Sequence, residues 1–372
     1  MTSQLFAPFR IGAMALPNRL VSLPLYLAYP DLDHEVNDLV LDYYGEMAGS
    51  GVGLVVVENV TVEPCGLGNA RTMLVSEDRF IPGLARLAAT IHRHGVPAVL
   101  QIHHAGRYAH RPDRIAPSPV DTWGVTPLAM DQACIDRVIR AFADGARRAR
   151  AAGFDGVELH GGTGYLLPQF LSPRTNQRVD SYGGDARNRM RFPLEVLAAV
   201  RAEVGPDFPV GYRFLAEECV PGGLTLADTI PFAQALAGAG IDYLSVMIGC
   251  YDAFALPEYQ AADAKEAFMA PYAHGIKQAV PGLPIVAAGR IQDPEQAEAL
   301  VREGKADLVG LARVLFADPL WPRKARGEVQ EPARPCLPGC MICTRRVMAQ
   351  KPAYCGQWPR ERRERFLARV GG

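Results

Sequence analysis

Short apolar segments rich in valine, isoleucine and leucine recur along the chain, and each precedes a loop and a longer amphipathic segment. Eight of these segments have the length and composition of buried strands. They are residues 20–24, 53–57, 98–102, 156–159, 210–213, 243–246, 285–288 and 308–311. The segments between them, including residues 138–152, 194–204, 227–237 and 294–303, are predicted to be helices. Strands and helices in alternation give a parallel sheet covered by helices.

The number of strand–helix units decides between the two common forms of such an α/β fold. Eight units favour a closed (β/α)8 TIM barrel over an open doubly wound sheet, because the sequence has neither a GxGxxG turn nor a sign of reversed strand order. We predict that residues 1–330 form the barrel and that residues 331–372 form a cysteine-rich C-terminal extension packed on it.

Composition and charge limit the partners of this chain. Its 372 residues carry 39 basic and 40 acidic side chains, and the net charge of -1 gives no field that attracts nucleic acid or an anionic membrane. No apolar run approaches the roughly 18 residues that span a bilayer, and the N-terminus lacks the layout of a signal peptide. The prediction is a cytoplasmic protein with a small-molecule substrate and with neither nucleic acid nor membrane as partner.

Glycine–arginine pairs follow the last two predicted strands. Gly289 precedes Arg290, and Gly310 lies three residues before Arg313. Glycine lets backbone N–H groups approach an anion, arginine adds a charged contact, and this position is the usual phosphate site of barrels. The plainer interpretation is two ordinary turns with exposed arginines.

Two further polar residues lie on the third and fifth predicted strands, where a flat ring attached to that phosphate can reach them. The amide of Gln101 offers donor and acceptor groups to an imide edge, and Arg213 can stabilise negative charge on a reduced ring. Flavin mononucleotide, FMN, meets these requirements. A structural ion pair is the alternative for Arg213.

The eight cysteines are unevenly placed along the chain. Cys336, Cys340, Cys343 and Cys355 fall within twenty positions, whereas the other four are scattered. Because disulfides are rare in a reducing compartment, four close thiols indicate a metal ion or an iron–sulfur cluster.

Long motifs connect the chain to a known family. They are Gln101-Ile-His-His-Ala-Gly-Arg107, Gly153-Phe-Asp-Gly-Val-Glu-Leu-His160, the segment 164–173, Gly211-Tyr-Arg-Phe214, Ala288-Gly-Arg290 and Val309-Gly-Leu-Ala-Arg313. In these motifs the chain resembles the old yellow enzyme family of FMN-dependent oxidoreductases. Within that family it resembles the iron–sulfur subgroup of 2,4-dienoyl-CoA reductase and trimethylamine dehydrogenase.

The resemblance implies a cofactor site and an electron donor. It implies that FMN is reduced by NADH or NADPH and later passes the hydride to a second substrate. The FMN-binding residues that it implies are Pro24, Leu25, Asn59, Gln101, Arg213, Gly289, Arg290, Gly310, Ala312 and Arg313, with Tyr26 beside the flavin.

The resemblance also implies the catalytic residues. It implies that His160 binds the carbonyl oxygen of the substrate. Tyr165 gives a proton to the substrate carbon if a neighbouring group lowers the pKa of this phenol. Where relatives carry a second His or Asn, this chain has Thr163, which donates one hydrogen bond without charge. Tyr251 stands where dienoyl-CoA reductases carry a histidine, and this makes the predicted pocket more aromatic.

Three functions fit this set of residues. The first is reduction of an activated C=C bond, as in an enone or enoyl substrate, with a proton from Tyr165. The second is oxidation of an amine or a saturated carbonyl compound, with aromatic faces or Asp252 binding a cationic substrate. The third is an electron-transfer subunit that holds flavin and cluster without a substrate of its own.

The cysteine spacing matches the subgroup in part. Relatives hold a [4Fe-4S] cluster with a similar run, and here the gaps are three, two and eleven residues, with one residue more than usual in the first gap. Zinc or unliganded thiols are the alternatives. Because the chain ends at Gly372, without the two nucleotide-binding domains of those relatives, we expect electrons to come from a soluble nicotinamide, a separate reductase or the substrate. A homo-oligomer is also expected.

Overall fold

Eight parallel strands close into a barrel in the computed structural model, which describes residues 3–371. The described residues contain twelve strands: β1 Phe9–Ile11, β2 Met14–Leu16, β3 Leu20–Ser22, β4 Leu54–Thr61, β5 Ala98–His103, β6 Ile115–Ala116, β7 Leu128–Ala129, β8 Gly156–Gly161, β9 Val210–Glu217, β10 Tyr243–Ile248, β11 Ile285–Ala287 and β12 Leu308–Leu311. Two pairs of them, β1-β2 and β6-β7, form separate two-stranded sheets. The barrel order is β3-β4-β5-β8-β9-β10-β11-β12, closed by pairing of β12 with β3. The predicted (β/α)8 barrel is confirmed.

Helices follow the barrel strands and cover them. They are α1 Asp38–Ala48, α2 Ile81–His92, α3 Gln132–Ala151, α4 Leu166–Leu171, α5 Ala186–Val204, α6 Leu226–Gly238, α7 Pro257–Asp263, α8 Ala270–Ala279, α9 Pro294–Arg302, α10 Arg313–Ala317, α11 Trp321–Ala325, α12 Ile342–Met348 and α13 Arg360–Val370. None of the helices within residues 3–371 is long and apolar enough to cross a membrane.

The fourth strand shows why the barrel strands are long apolar runs. Every residue of β4 is buried, because parallel strands in a barrel are covered on both sides. The predicted boundary at residue 57 was wrong, since Glu58 and Asn59 looked like the start of a loop. Both are buried and continue the strand to Thr61. Polar side chains are thereby carried into the mouth of the barrel.

The segment after the barrel packs on its outer surface. The indole nitrogen of Trp358 donates to the Phe316 carbonyl oxygen at 2.6 Å, and the hydroxyl of Tyr29 donates to the Ala353 carbonyl oxygen at 3.0 Å. Trp358 and Ala353 are buried. These contacts fix the cysteine-bearing segment beside α10, and the division into residues 1–330 and 331–372 stays a prediction.

Candidate functional site

The carboxyl ends of the barrel strands bring most of the predicted site residues to one mouth of the barrel. The register pairs Gln101 with Glu158 and His160 with Arg213 across three neighbouring strands. Because side chains alternate along a strand, Gln101 and His103 share one side of β5, as Glu158 and His160 do on β8. These four side chains form two successive layers at the mouth.

A cavity of about 160 Å³ lies at the ends of β11 and β12. Its lining includes Gly289, Arg290, Gly310, Ala312, Arg313, Arg213 and Cys336. A Cβ atom at Gly310 would come within 2.5 Å of Leu23, and one at Gly289 within 2.6 Å of Met269. Gly289 also has a φ of +95°, which favours glycine. Larger residues at either position would clash with these side chains.

Two guanidinium groups border this cavity, and a carboxylate bridges them. Arg313 Nη2 donates to Asp263 Oδ1 at 2.7 Å, and Arg290 Nη2 lies 3.4 Å from Asp263 Oδ2. Arg290 also donates to the Cys336 carbonyl oxygen at 2.8 Å. Two cations against one anion leave this end positive, so the glycine cradle and the charge together fit the phosphate of FMN.

A buried polar layer lies where the flavin ring of FMN is expected. Gln101 Nε2 donates to Glu158 Oε1 at 2.7 Å, and Arg213 Nη1 donates to Ser245 Oγ at 2.6 Å. Glu158 accepts a further bond from Tyr243 at 3.0 Å. The bond to Glu158 leaves the second amide N–H of Gln101 for a ligand, and the arginine keeps further donors. Both groups can therefore contact a polar planar ring.

The segment after β3 forms the opposite wall of this site. Pro24, Leu25 and Tyr26 are half-buried there, and the hydroxyl of Tyr26 donates to the Arg71 carbonyl oxygen at 3.1 Å. The next residue along the segment, Leu27, donates its backbone N–H to Glu58 Oε2 at 3.0 Å. The wall is thereby tied to β4, where Asn59 is also buried.

Burial raises the pKa of Glu58 to about 8, and the Leu27 N–H opposes this only in part. The pKa of Glu58 is higher in the folded protein than in the unfolded chain, where it is about 4.5. The stability that the protonated carboxyl gives the fold is therefore complete below about pH 4.5 and is lost as the pH rises through about 8. We expect Glu58→Gln, which stays neutral, to gain stability relative to the parent by about 1.4 kcal/mol per pH unit over pH 6–8. Thermal unfolding of both proteins at pH 6 and pH 8 measures this. A stability difference between variant and parent that is the same at both pH values would contradict it.

Two phenols meet at the centre of the barrel mouth. The hydroxyl oxygens of Tyr165 and Tyr251 are 2.7 Å apart, and the ring of His160 lies 4.9 Å from that of Tyr165. Burial and the neighbouring Tyr251 raise the pKa of Tyr165 well above 10, so the structure shows no group among the described residues that lowers it. Tyr165 holds its proton until a strong base is placed beside it, and Tyr251 can then donate to the phenolate.

The imidazole of His160 is neutral, and its hydrogen-bonding direction is fixed. Burial lowers the pKa of His160 to about 3, and the charge of Arg213 adds to this effect. Its Nδ1 accepts the backbone N–H of Gly162 at 3.2 Å, which assigns the proton to Nε2. His160 therefore presents one N–H donor to a ligand.

Thr163 does not occupy the place of a second strong donor. Its φ is +60°, a conformation that β-branched residues rarely adopt. Its hydroxyl contacts the sulfur atom of Met247 at 3.8 Å, and a thioether is a weak acceptor. The gap that the sequence predicts beside His160 is therefore present in the structure.

Aromatic side chains from distant segments form the outer wall of the site, and sequence reasoning missed three of them. The ring of Tyr108 lies 5.0 Å from Tyr251 and 4.9 Å from Trp123, which is 64% exposed. Phe254 continues the wall at 5.6 Å from Tyr251. A lone aromatic residue in a loop carries no signal of this kind, because the cluster exists only once the chain is folded.

The carboxylate beside Tyr251 is already neutralised. Asp252 accepts from Arg107 and, at 3.2 Å, from Arg174. Both arginines come from segments far from Asp252 in the sequence, so the pairing was not predictable. These charges lower the pKa of Asp252, although burial opposes them. Asp252 is therefore not a free anion for a cationic substrate.

The four C-terminal thiols lie near one another. Burial, together with the nearby Cys336, Cys343 and Cys340 thiols, raises the pKa of Cys355 to about 11. Cys336, Cys340 and Cys343 are half-buried, Cys355 is buried, and none of the four forms a disulfide bond. Four such thiols can bind a zinc ion or an iron–sulfur cluster.

A second group of possible metal ligands lies elsewhere in the barrel. The ligand atoms of Glu63, Cys65 and His104 are within 4.8 Å of one another. Hydrogen bonding explains this cluster without a metal ion. His104 Nδ1 accepts the Gly106 N–H at 3.0 Å, so its Nε2 carries the proton and donates to Glu63 at 3.1 Å. Hydrogen bonds from His104 and Arg137 lower the pKa of Glu63 to about 2, although burial opposes this. The cluster is a structural ion pair.

Comparison with known proteins agrees with this site. The sequence pattern of the NADH:flavin oxidoreductase / NADH oxidase family matches residues 4–331. The chain belongs to this family. Membership confirms the predicted old yellow enzyme-like class of flavin oxidoreductases, and it supports FMN and a nicotinamide as cofactors.

Individual members of the family differ in length. A metal reductase from Desulforamulus reducens is 41% identical over 360 residues, which are 95% of this chain and 53% of that protein. An NADPH dehydrogenase from a Geobacillus species is 37% identical over 88% of this chain and 95% of its own. The structure of 2-naphthoyl-CoA reductase with 2-naphthoyl-CoA superposes with a TM-score of 0.91 at 29% identity, over 96% of this chain and 57% of that one. This chain thus spans about half the length of the first and third proteins.

Proposed function

We propose that this flavin oxidoreductase reduces an activated C=C bond, in an enone or enoyl-type substrate. The observation that carries the proposal is the buried Tyr165 hydroxyl, 2.7 Å from Tyr251 and beside the neutral imidazole of His160. FMN, when bound, supplies the hydride that it takes from NADH or NADPH. The chain itself must then polarise the substrate and deliver one proton.

His160 carries out the first of these tasks. Its Nε2–H donates to the carbonyl oxygen of the substrate, which draws electron density from the β-carbon and favours addition of hydride there. A neutral donor suits this task, because negative charge develops on the oxygen only as the reaction proceeds. Gln101, Arg213 and Asn59 would orient the flavin ring of FMN, while Gly289, Arg290, Gly310, Ala312 and Arg313 would hold its phosphate.

Tyr165 carries out the second task. The α-carbon of the resulting enolate is far more basic than a phenolate, so it takes the Tyr165 proton despite the raised pKa of that phenol. Tyr251 donates to the phenolate that remains, and a proton from solvent restores Tyr165. One hydride and one proton are thus added across the C=C bond, and one NADH or NADPH is oxidised.

The walls of the site favour a flat substrate over an amine. Tyr108, Trp123, Tyr251 and Phe254 offer ring faces and edges, which pack well on a planar conjugated group. The name of 2-naphthoyl-CoA reductase, a structural neighbour, also describes a flat conjugated substrate. Because Asp252 is paired with Arg107 and Arg174, no free carboxylate is left there to bind an alkylammonium group.

The C-terminal thiols support a second cofactor. We propose that Cys336, Cys340, Cys343 and Cys355 hold a [4Fe-4S] cluster, because their spacing is similar to the cysteine run that binds such a cluster in the subgroup this chain resembles. Cys336 also lines the cavity assigned to the FMN phosphate, so the two cofactors would be neighbours. The metal reductase relative makes transfer of electrons to an outside acceptor the main alternative function, with a separate reductase or acceptor protein as partner.

The two half-reactions test this function separately. In stopped-flow experiments on the FMN-loaded protein, we expect NADH or NADPH to bleach the flavin absorbance and 2-cyclohexenone to restore it. Bleaching by an alkylamine alone would instead support amine oxidation. If neither the nicotinamide nor the alkylamine bleaches the flavin, in a protein whose cluster is redox-active, the result would favour an electron-transfer subunit.

A further inference from the structure

His103 is a buried histidine in the mouth of the barrel to which neither the sequence motifs nor the family match gives a role. It ends β5 and has no solvent exposure. Neither of its ring nitrogens has a hydrogen-bond partner among residues 3–371. A buried polar group without a partner costs roughly 1–3 kcal/mol. Such a group at the end of a barrel strand points to a ligand as its partner.

The ring of His103 lies among the groups that are proposed to handle the substrate. Its centroid is 4.2 Å from that of Tyr165 and 5.4 Å from that of His160. A Cβ atom placed on Gly68 would lie 3.7 Å from His103 Nε2 and 3.9 Å from the Tyr165 hydroxyl oxygen. The unpartnered nitrogen and the proton donor therefore border the same small region, beside a residue with no side chain.

The protonation state of His103 is suited to donating one hydrogen bond. Burial lowers its pKa well below 6.5, and the nearby His160 and His104 add to this effect. A neutral imidazole has one N–H and one free lone pair. His103 and His160 can thus each give one N–H to the same oxygen atom. The Thr163 hydroxyl instead contacts the Met247 sulfur.

We infer that His103 is a substrate-binding residue, which donates the second hydrogen bond to the carbonyl oxygen that His160 contacts. The inference rests on the proposed function, since it requires a carbonyl-bearing substrate. The pair of donors then comes from two neighbouring strands, β5 and β8, and not from one turn after β8. Two donors on one oxygen stabilise the enolate more than one does.

Infrared difference spectra of bound 2-cyclohexenone, labelled with ¹³C at the carbonyl carbon, test this inference directly. Hydrogen bonds lower the carbonyl stretching frequency, so the oxidised, FMN-loaded protein should shift it well below its value in a non-hydrogen-bonding solvent. We expect His103→Leu, which is close in volume, to lose about half of this shift and to bind the ketone about tenfold more weakly. His103→Asn, which keeps an N–H donor, should recover part of the shift.

Several outcomes would overturn the inference. If His103→Leu is folded and FMN-loaded but shifts the carbonyl band as the parent does, His103 is only a packing partner of Tyr165. His160→Leu serves as the matched control, because it should reduce the shift on either account. A parent protein that binds the ketone without any shift overturns the role of both histidines. A parent that neither binds nor reduces the ketone overturns the proposed function itself.

Discussion

Replacing Tyr165 with phenylalanine should slow the reoxidation of the reduced flavin by an enone about 10²–10⁴-fold, the usual contribution of a positioned general acid. The change removes one oxygen atom and keeps the ring that packs against His103 and His160. The site should therefore stay folded and keep FMN. Reduction of the flavin by NADH or NADPH needs no proton from this phenol, so that half-reaction should change little. Stopped-flow absorbance measures both rates.

Tyr251→Phe is the matched control for this prediction. It removes the hydroxyl that supports the Tyr165 phenolate but leaves the proton donor in place. Its effect on reoxidation should therefore be smaller, about tenfold, as expected for one lost hydrogen bond. If Tyr165→Phe slows both half-reactions equally, or if Tyr251→Phe is the slower variant, the proton does not come from Tyr165.

Replacing Cys343 with serine should remove the proposed cluster. Anaerobically purified parent protein should contain about four iron atoms and four sulfide ions per chain, with absorbance beneath the flavin bands. In Cys343→Ser we expect most of the iron and sulfide to be lost. FMN content should fall less, because Cys343 does not line the phosphate cavity.

A scattered cysteine provides the control for this experiment. Cys134 lies on α3, half-buried and 3.3 Å from the guanidinium of Arg137, so Cys134→Ser should keep the full iron content. One zinc ion per chain in the parent would overturn the cluster assignment. Equal iron loss in both serine variants would show that the metal is not held at Cys343.

The barrel was predictable because its strands are buried on both sides. Such strands read as continuous apolar runs, and the eight runs of the sequence correspond to the eight barrel strands. Boundaries were less predictable where polar groups are buried. The strand β4 continues through Glu58 and Asn59, because the barrel mouth buries both despite their polarity, and β9 continues to the half-buried Glu217.

Within the site, the sequence located residues but not their partners. The motifs placed His160 and Tyr165 at a strand end, yet the bond from Tyr165 to Tyr251 joins residues 86 positions apart. The pairing of Arg107 with Asp252 spans 145 positions. Contacts between residues so far apart in the sequence leave no pattern in the local composition. The position of His103 was predictable from the sequence, because side chains alternate along a strand and this puts His103 on the same side as Gln101.

The central claim is that this chain adds hydrogen across an activated C=C bond, and product analysis tests it most directly. Protein reduced anaerobically with one equivalent of NADH or NADPH per FMN is mixed with excess 2-cyclohexenone, and cyclohexanone is measured by gas chromatography. We predict close to one equivalent of cyclohexanone per FMN, together with full recovery of the oxidised flavin spectrum. Flavin that stays reduced, with no cyclohexanone formed, would contradict the claim.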